Sequence, residues 1–363
     1  MTRTVFGEEE LWSALADTSS PILLYGTGDG ADKILYVMEE KGLRANGFFA
    51  SDGFVRDRYF RGEHVMSLSE AEEKFGDFIV LVAFGSSRDD VIENVKRIAS
   101  RHRLFIADVP VCGGELFDAD FYENHLFEIN EARGLFSDDE SKRVYDSIIK
   151  FRLSGKPEYL WDCSCNEEET FSLLSGGYGA YVDLGAYTGD TVKKAISLCP
   201  SIKKVCAFEP AKKPFEKLSA FCSGTENVDF SLINACARDK TESIVIADGG
   251  GRGTHISSDS SLSGAKSRTV DCVSPDEVCN FSGERLLIKY DVEGAERQAL
   301  LGSLSLIKNN DTELAVSLYH RSGDIFSLAA LVHQILPERA LYLRRLKGFP
   351  AWDINLFASK KLI

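Results

Sequence analysis

The sequence predicts an α/β protein in which two doubly wound units are joined by an acidic helical connector. Two stretches each show a short apolar run, a glycine turn and an amphipathic segment, the order expected of a strand followed by a helix. The first stretch begins at Ile22 and the second at Ala180, whereas residues 115–176 show no strand pattern. The expected parts of the chain are 1–112, 113–176 and 177–363.

Four strands and two helices are expected in the first unit. Its apolar runs are short, as in strands that are buried on both faces of a parallel sheet. The predicted strands are 22–25, 45–50, 78–84 and 103–107, and the predicted helices are 31–41 and 89–100.

The connector is expected to be helical. Ser137-x-x-Glu140 has the pattern of a capping box and precedes apolar residues at helical spacing, so a helix is predicted over 138–153. Gly155 is expected to end this helix.

The second unit is expected to form one larger sheet. Its elements follow from the same alternation of apolar runs, glycine turns and amphipathic segments. The predicted strands are 180–184, 204–208, 229–233, 243–247, 286–290 and 314–318, and the predicted helices are 190–198 and 212–222.

The length and composition are those of a globular protein with a sizeable core. The 363 residues are 44% apolar and 27% charged, which excludes a disordered chain. No apolar run approaches the roughly 18 residues of a membrane span, and three consecutive glutamates near the start are unlike a signal peptide. Nine scattered cysteines without a C-x-x-C pair indicate reduced thiols. We expect a cytoplasmic protein, and homo-oligomerisation is left open.

The net charge of −14 is distributed unevenly along the chain. Residues 1–110 hold 13 basic and 19 acidic side chains, and residues 111–180 hold 6 and 15. Residues 181–363 hold 23 basic and 22 acidic side chains and are therefore nearly neutral. This distribution argues against duplex nucleic acid as a partner, but it does not exclude an anionic small molecule such as a sugar nucleotide.

The second unit contains the pattern Asp183-x-Gly185-Ala186-x-x-Gly189, followed by Glu209 at the end of the next predicted strand. Glycines let the backbone approach a ligand closely, and an acid at the second strand end can accept hydrogen bonds from both hydroxyls of a ribose. A carboxylate in this motif disfavours a pyrophosphate. It suits the ammonium and sulfonium of S-adenosylmethionine better.

A second acidic motif follows a later predicted strand. Lys289 is followed by Asp291, Glu293 and Glu296 at the end of the strand where ligands bind in open α/β sheets. Because carboxylates close together repel each other, they need cationic, hydroxyl or metal partners. Lys289 is expected to pair with one of these acids.

These motifs resemble the FkbM family of S-adenosylmethionine-dependent methyltransferases, over about residues 177–363. The segments that carry the resemblance are Val182-Asp183-Leu184-Gly185-Ala186-Tyr187-Thr188-Gly189-Asp190-Thr191, Phe208-Glu209-Pro210, Ile288-Lys289-Tyr290-Asp291-Val292-Glu293-Gly294-Ala295-Glu296, Ser317-Leu318-Tyr319-His320 with Asp324, and Leu341-Tyr342-Leu343-Arg344. The resemblance implies a seven-stranded, Rossmann-like methyltransferase sheet. It also implies O-methylation of a hydroxyl on a carbohydrate, sugar nucleotide or related small molecule.

The resemblance also implies roles for individual residues. Glu209 would bind the ribose, and Asp291 would lie beside the methyl donor. Around the methionine end and the adenine, the implied cofactor-binding residues are Asp183, Gly185, Ala186, Thr188 and Gly189, and then Asn234 and Ala235. The sequence departs from the family pattern at Arg345, where an aromatic residue or histidine is implied.

Methyl transfer to oxygen needs a group that removes the proton of the acceptor hydroxyl. His320 is the candidate base by residue type, because its unperturbed pKa of about 6.5 allows a neutral imidazole at pH 7. The alternative is that His320 only hydrogen-bonds a neighbouring strand. Asp291 and Glu293 are alternative bases, or ligands of a divalent cation. We expect Asp291 to contact cofactor or substrate, and no metal ligand set is predicted.

The first unit contains Gly26-x-Gly28-x-x-Ala31 with Asp52 at the end of its second strand, a dinucleotide fingerprint. Asp29 within this turn would repel a pyrophosphate, which favours a role without redox chemistry. Residues 20–108 also resemble the small nucleotide-binding-type domain that precedes sugar-modifying acyltransferases, as in Gly47-Phe48-Phe49-Ala50-Ser51-Asp52 and Val82-Ala83-Phe84-Gly85.

Two other functions therefore remain open. One is an NAD-dependent sugar-modifying enzyme that uses the first glycine turn, and the other is a catalytically silent module that binds nucleosides. A glycine-rich polar stretch at 249–255 is expected to be a substrate lid or a plain surface loop.

Overall fold

Two larger sheets of mainly parallel strands, two smaller sheets and a set of helices make up the computed structural model, which describes residues 2–54, 58–247 and 267–362. The predicted polar stretch at 249–255 lies outside these residues. Within the described ranges, no helix has the length and apolar character needed to cross a membrane.

The N-terminal part contains a six-stranded sheet, preceded by a short hairpin. The strands are β1 (Thr4–Val5), β2 (Glu8–Glu9), β3 (Ile22–Tyr25), β4 (Gly47–Ala50), β5 (Tyr59–Phe60), β6 (Glu63–Ser67), β7 (Ile79–Val82) and β8 (Leu104–Ile106). The helices are α1 (Leu11–Asp17), α2 (Asp29–Glu40), α3 (Leu68–Phe75) and α4 (Asp89–Ala99), with a 3₁₀ turn at Asp52–Phe54.

The order of the strands in this sheet is β5-β6-β4-β3-β7-β8. All pairs are parallel except β5 with β6. The chain moves outward from β3 to β6 and then returns to β7 on the other side of β3. The gap between β3 and β7 is therefore the topological switch point of a doubly wound sheet.

The sequence patterns predict four of these parallel strands but not β6 or α3. Only Val65 and Met66 are buried in β6, so its apolar run is too short to stand out. The sequence does contain a signal for the start of α3, because Ser67 and Glu70 form a capping box.

Five helices and no strand form the connector, as predicted. They are α5 (Ala119–Asn124), α6 (Leu126–Gly134), α7 (Asp139–Ser154), α8 (Glu158–Asp162) and α9 (Glu167–Ser172). The predicted capping box of α7 is wrong, because Asp138 is the N-cap and accepts from the Ser141 N–H. The Ser137 hydroxyl instead accepts from the Leu341 N–H. Gly155, with φ +67°, ends the helix as predicted.

The C-terminal part contains ten strands and six helices among the described residues. The strands are β9 (Ala180–Leu184), β10 (Lys204–Phe208), β11 (Asp229–Ile233), β12 (Cys236–Ala237), β13 (Glu242–Ala247), β14 (Ser267–Val273), β15 (Arg285–Tyr290), β16 (Asp311–Ser317), β17 (Ala340–Arg345) and β18 (Ile354–Ser359). The helices are α10 (Asp190–Leu198), α11 (Lys212–Ser223), α12 (Pro275–Val278), α13 (Glu296–Leu301), α14 (Leu304–Lys308) and α15 (Asp324–Ile335).

Seven of these strands form one sheet in the order β11-β10-β9-β15-β16-β18-β17. This confirms the seven-stranded sheet that the resemblance implies. The prediction that the strand at 243–247 belongs to this sheet is wrong. That strand is part of β13, which pairs with β14 in a separate three-stranded sheet. The last two places belong instead to β17 and β18, which are antiparallel to each other, with β18 antiparallel to β16.

The register of β9, β10 and β15 sets where the functional residues lie. Leu184 pairs with Phe208 on one side and with Tyr290 on the other. The carboxyl ends of the three strands are therefore level. Consequently the glycine turn after β9, Glu209 after β10 and Asp291 after β15 lie at one edge of the sheet.

The connector packs on both sheets. Helix α7 contacts β2 in the N-terminal part and β17 in the C-terminal part. One apolar core includes Leu23, Ile148 and Leu343, which belong to the three successive parts of the chain. The three-part division therefore stays a prediction, since packing is continuous across its boundaries.

Arg345 has a structural position at the end of β17. Its side chain is completely buried, and its guanidinium donates to the carbonyl oxygens of Leu160 at 3.0 Å and Pro350 at 3.4 Å and to that of Gly348. The guanidinium thus joins α8 to the loop between β17 and β18.

We expect Arg345→Met to lower the free energy of unfolding by about 3 kcal/mol, because buried carbonyl groups would lose their donors. Urea unfolding would measure the change. Lys347→Met is the control, since Lys347 pairs with Asp89 at the surface and should contribute less than about 1 kcal/mol. Equal stability of the two variants would contradict the structural role of Arg345.

Candidate active site

The glycine turn after β9 is fixed between its two neighbouring strands. Gly185 and Gly189 have φ values of +89° and +93°. A Cβ atom on Gly185 would lie 1.9 Å from the carbonyl oxygen of Asp291, so the turn lies directly against the end of β15. On the other side, the N–H groups of Gly185 and Ala186 donate to the Phe208 carbonyl at 3.1 and 2.8 Å. The close backbone approach is the reason for glycine at position 185.

The outer part of the turn leads into α10. Tyr187 has a φ of +46° and is 46% exposed. The Thr188 hydroxyl bonds the Asp190 carboxylate in the first turn of α10. Thr188, which we expect to contact a cofactor, is thus engaged within the helix start.

Glu209 connects the glycine turn to the segment that follows β10. Its carboxylate accepts from the Tyr187 N–H at 3.0 Å and from the Ala211 N–H at 2.7 Å. The residue is only 6% exposed. These two hydrogen bonds fix the glycine turn relative to the end of β10.

Asn234 and Ala235 follow β11 at the same edge. The Asn234 amide donates to the Glu209 carbonyl at 2.8 Å, which joins the ends of β10 and β11. Asn234 is exposed and Ala235 is buried. Of the two residues predicted for the adenine, the structure leaves Asn234 open to solvent.

Asp183 is enclosed within the sheet. Its side chain has no exposed surface, and its oxygens lie 3.1 Å from Lys289 Nζ and 3.1 Å from the Tyr181 hydroxyl and also bond Thr191. Three side chains surround its carboxylate, and a place for Asp183 at the methionine end stays a prediction. The motif predicts the position of the acid but not its partners.

Lys289 links the two acidic motifs. Its ammonium donates to Asp183 at 3.1 Å and to the Gly185 carbonyl at 3.1 Å, and lies 3.7 Å from Asp291. Burial lowers the pKa of Lys289, but the charges of Asp183 and Asp291 outweigh burial and raise it. The predicted pairing of Lys289 with an acid is confirmed.

Asp291 and Glu293 are the acids of this edge that remain open. Their side chains are 32% and 42% exposed, and the Tyr319 hydroxyl donates to Asp291 at 3.2 Å. Burial raises the pKa of Asp291, but Lys289 and His320 keep it below its usual value. Desolvation raises the pKa of Glu293 to about 7.

His320 differs from the expectation of a neutral base. It is completely buried, with Nδ1 2.9 Å from Glu296 and Nε2 3.6 and 3.5 Å from Asp291 and Glu293. Burial lowers the pKa of His320, but the surrounding negative charge, above all that of Glu296, raises it to about 9. The three carboxylates around the ring favour the protonated imidazole, and the role of His320 as the base stays a prediction.

The sequence patterns assign no role to Glu296, although this residue lies in the second acidic motif. It is 1% exposed and accepts N–H groups of Val292 and Gly294 at 2.9 and 3.4 Å. The sequence shows that Glu296 lies five residues after Asp291. It does not show the contact of Glu296 with His320, because that contact depends on the pairing of β15 with β16.

The end of the N-terminal part covers one side of this cluster. Cys112 is buried, its N–H donates to the His320 carbonyl at 3.2 Å, and its thiol donates to the Glu293 carbonyl. Arg321 donates to the carbonyl oxygens of Gly294 and Cys112 at 3.1 and 3.4 Å. The segment around Cys112 thus holds the loop after β15 in place.

The N-terminal glycine turn is occupied by protein at the switch point of its sheet. A Cβ on Gly26 would lie 2.8 Å from the Phe84 ring, and one on Gly85 would lie 2.4 Å from the Trp352 ring. Phe349 also packs on Phe84, with ring centroids 5.6 Å apart. The loop between β17 and β18 therefore packs against the crevice where such sheets bind nucleotides.

The predicted acid of this first fingerprint has a local partner. Asp52 accepts from the Ser69 N–H at 3.1 Å and from the Ser69 hydroxyl at 2.9 Å. These bonds, led by that from the backbone, lower the pKa of Asp52. Asp29 pairs with Lys33 at 3.1 Å in the first turn of α2.

The edge of the seven-stranded sheet fits a nucleoside-containing group better than the crevice of the N-terminal sheet does. Gly185 approaches Asp291 more closely than any side chain would permit, and Glu209 bonds the backbone of the exposed turn. Partly exposed carboxylates lie on the other side of the turn, at the end of β15.

Comparisons with known proteins agree with this geometry. Residues 183–343 match the family model of the methyltransferase FkbM domain. The crystal structure of methyltransferase FkbM from Methylobacillus flagellatus KT has a TM-score of 0.69 at 18% sequence identity, over 94% of this chain and 90% of that chain. At this level of identity the likeness shows the fold.

Other solved structures are similar over smaller parts. A putative rRNA methylase from Clostridium thermocellum has a TM-score of 0.32 at 10% identity, over 52% of this chain and 89% of that chain. Human N-acetylserotonin methyltransferase in complex with SAM has a TM-score of 0.29 at 11% identity, over 66% of each chain. None of the curated proteins compared with the sequence matches it. Residues 183–343 are therefore similar to the methyltransferase FkbM domain, and the chain shares its fold with an FkbM methyltransferase.

Proposed function

We propose that this chain transfers the methyl group of S-adenosylmethionine to a hydroxyl of a carbohydrate, sugar nucleotide or related small molecule. The observation that carries the proposal is the junction of the glycine turn with the end of β15, where a Cβ on Gly185 would overlap the Asp291 carbonyl. This contact brings the candidate cofactor turn and the open acids Asp291 and Glu293 to one place.

The cofactor contacts are assigned to the turn and its neighbours. Glu209, which follows β10 beside the turn, would accept hydrogen bonds from the ribose hydroxyls, and the exposed Asn234 would contact the adenine. The backbone of Gly185 and Gly189 would bound the methionine end. S-adenosylmethionine, when bound, supplies an activated methyl group.

Asp183 and Lys289 act together as positioning residues. Their ion pair, with a distance of 3.1 Å, lies beneath the turn, and Lys289 also bonds the Gly185 carbonyl. Asp183 thus orients the turn through Lys289.

The acceptor hydroxyl must lose a proton as its oxygen bonds the methyl carbon. Asp291 and Glu293 are the candidates for receiving it, because both are open at the end of β15. His320 has no exposed surface, so a bound hydroxyl does not reach it. We therefore assign His320 to holding the carboxylates in position.

The acidic, partly open character of this edge favours a hydroxylated acceptor. Carboxylates accept hydrogen bonds from neighbouring hydroxyl groups of a sugar, and the Tyr319 hydroxyl beside Asp291 adds a further polar contact. An NAD-dependent reaction at the N-terminal turn is disfavoured, since Trp352 and Phe349 pack against that crevice.

Calorimetry with S-adenosylmethionine and with its demethylated product tests the proposal. We expect both to bind the wild-type chain. Glu209→Gln should weaken binding about 10- to 100-fold, because hydrogen bonds to a charged acceptor contribute about 1.5–3 kcal/mol.

Glu216→Gln is the matched control, since Glu216 is exposed on α11 and the change removes the same charge. It should bind like the wild type. Absence of binding to the wild-type chain would reject the proposed function. Binding without methylation of any hydroxylated acceptor would support the silent nucleoside-binding module instead.

A further inference from the structure

His320 is a buried imidazole without a proper hydrogen bond. It has no exposed surface, and among the described residues neither ring nitrogen makes a hydrogen bond of acceptable geometry. Nδ1 is 2.9 Å from Oε1 of Glu296, yet misaligned with it. Buried polar atoms in native proteins almost always have a partner, so the two nitrogens point to a missing one.

The side chains around His320 are mainly acidic. Glu296, Asp291 and Glu293 lie 2.9, 3.6 and 3.5 Å from its ring nitrogens. Asp324 begins α15 nearby and accepts from the Arg321 N–H at 2.8 Å. This concentration of carboxylates needs positive charge.

The neighbouring cations have other partners. Lys289 is 3.7 Å from Asp291 but closer to Asp183, at 3.1 Å. The Arg321 guanidinium donates to the carbonyl oxygens of Gly294 and Cys112. Neither of these two cations contacts the carboxylate of Glu296 in a described ion pair.

The distances within the cluster suit a single metal ion. One ligand atom from each of Asp291, Glu296 and His320 lies within 4.8 Å of the others. Metal–ligand bonds of about 2.0–2.6 Å place two ligands of one ion up to about 4–5 Å apart. Two carboxylates and one imidazole are a frequent kind of ligand set for divalent metals.

We propose that Asp291, Glu296 and His320 bind a divalent cation, and that the imidazole favours a first-row transition metal over Mg²⁺ or Ca²⁺. The ligating nitrogen of the imidazole must be without a proton when it binds the cation. This ligand set differs from the pair Asp291 and Glu293, which the sequence alone suggests as possible cation ligands. Glu293, 42% exposed, stays free to receive the acceptor's proton.

The cation would have a role at the acceptor site, a point that rests on the proposed function. Asp291 is 32% exposed, so the side of the cation next to it remains accessible to a ligand. A hydroxyl bound there would lose its proton more readily. Metal binding itself does not depend on methyl transfer.

Manganese binding to the metal-free full-length chain tests the proposal. After dialysis against EDTA and then buffer, we expect calorimetry and the electron paramagnetic resonance of Mn²⁺ to detect one bound ion per chain. Asp291→Asn and His320→Gln should each weaken Mn²⁺ binding at least about 10-fold. Asp291→Asn is nearly isosteric and partly exposed, so it remains informative if His320→Gln does not fold.

Two variants outside the cluster serve as controls. Asp229→Asn changes an exposed acid at the start of β11, and His333→Gln changes a half-buried histidine in the last turn of α15. Both should bind Mn²⁺ like the wild type. Failure of the wild type to bind Mn²⁺, or equal binding by the wild type and Asp291→Asn, would overturn the proposed site.

The two proposals fail in different ways. S-adenosylmethionine binding to the EDTA-treated chain tests the proposed function without a metal. Binding of S-adenosylmethionine without binding of Mn²⁺ would reject the metal site alone. Binding of Mn²⁺ without S-adenosylmethionine would reject the methyltransferase proposal and keep the metal site.

Discussion

Replacing Lys289 by methionine is expected to lower the free energy of unfolding by about 3–5 kcal/mol, the cost of leaving a buried charge without its partner. Lys289 Nζ lies 3.1 Å from the carboxylate of Asp183, whose side chain has no exposed surface. Methionine fills a similar volume but supplies no charge and no donor. The Gly185 carbonyl would also lose the hydrogen bond it accepts from Lys289.

Urea unfolding at pH 7 measures this change. Lys204→Met is the matched control, because Lys204 pairs with Glu284 at the surface, where an ion pair contributes at most about 1 kcal/mol. Asp183→Asn combined with Lys289→Met should recover part of the lost stability, since the unpaired charge is then absent. A loss no larger than that of Lys204→Met would contradict the buried ion pair.

The two variants should also differ in S-adenosylmethionine binding. Lys289 bonds both the turn carbonyl and Asp183, so its loss should let the glycine turn move and weaken binding. Lys204 is at the opposite end of the sheet, at the start of β10, so its variant should bind normally.

The sequence predicts the parts of the fold that depend on local patterns. The glycine turn, with Asp183 before it, and Glu209 after the next strand follow from the spacing of residue types within single strand–turn–helix units. The edge at which they meet follows from the parallel topology. This is why the candidate cofactor side is largely predictable.

The acceptor side depends on contacts between distant segments. Residue type alone predicts a neutral His320, because its acidic surroundings form only when β15 and β16 pair and bring Glu296 to Nδ1 at 2.9 Å. The same limit applies to Ser137, whose hydroxyl bonds Leu341 across the chain. Local spacing does not show which of Ser137 and Asp138 caps a helix.

Sheet membership is also set by distant pairing. The strand predicted at 243–247 has the apolar run of a sheet member, but β13 pairs with β14 outside the main sheet. β17 and β18 take the last two places because they pair antiparallel with each other. Single-strand patterns do not distinguish these outcomes.

Replacing Gly185 by alanine should destabilise the protein by about 2–5 kcal/mol, through two separate effects. The positive φ of +89° costs an alanine about 1–2 kcal/mol. The new Cβ would also lie 1.9 Å from the Asp291 carbonyl oxygen, an overlap that the backbone must relieve at a further cost of about 1–3 kcal/mol.

Glycines of similar φ separate the two effects. Gly176 has φ +71°, and among the described residues no atom lies within 4 Å of the place that a Cβ would take there. At Gly189, with φ +93°, a Cβ would lie 3.1 Å from the Leu218 side chain. Urea unfolding of the three alanine variants should therefore rank the losses as Gly176 smallest, Gly189 intermediate and Gly185 largest. Equal losses at Gly176 and Gly185 would mean that the contact with Asp291 contributes nothing.

Binding gives a second readout of the same contact. Relief of the overlap at Gly185 must separate the glycine turn from the end of β15, so Gly185→Ala should weaken S-adenosylmethionine binding at least about 10-fold, which corresponds to about 1.4 kcal/mol. Gly176→Ala leaves that junction intact and should bind normally, even though its backbone strain is similar. Because both variants carry the cost of a positive φ, any difference in binding between them reports the distance between the two motifs.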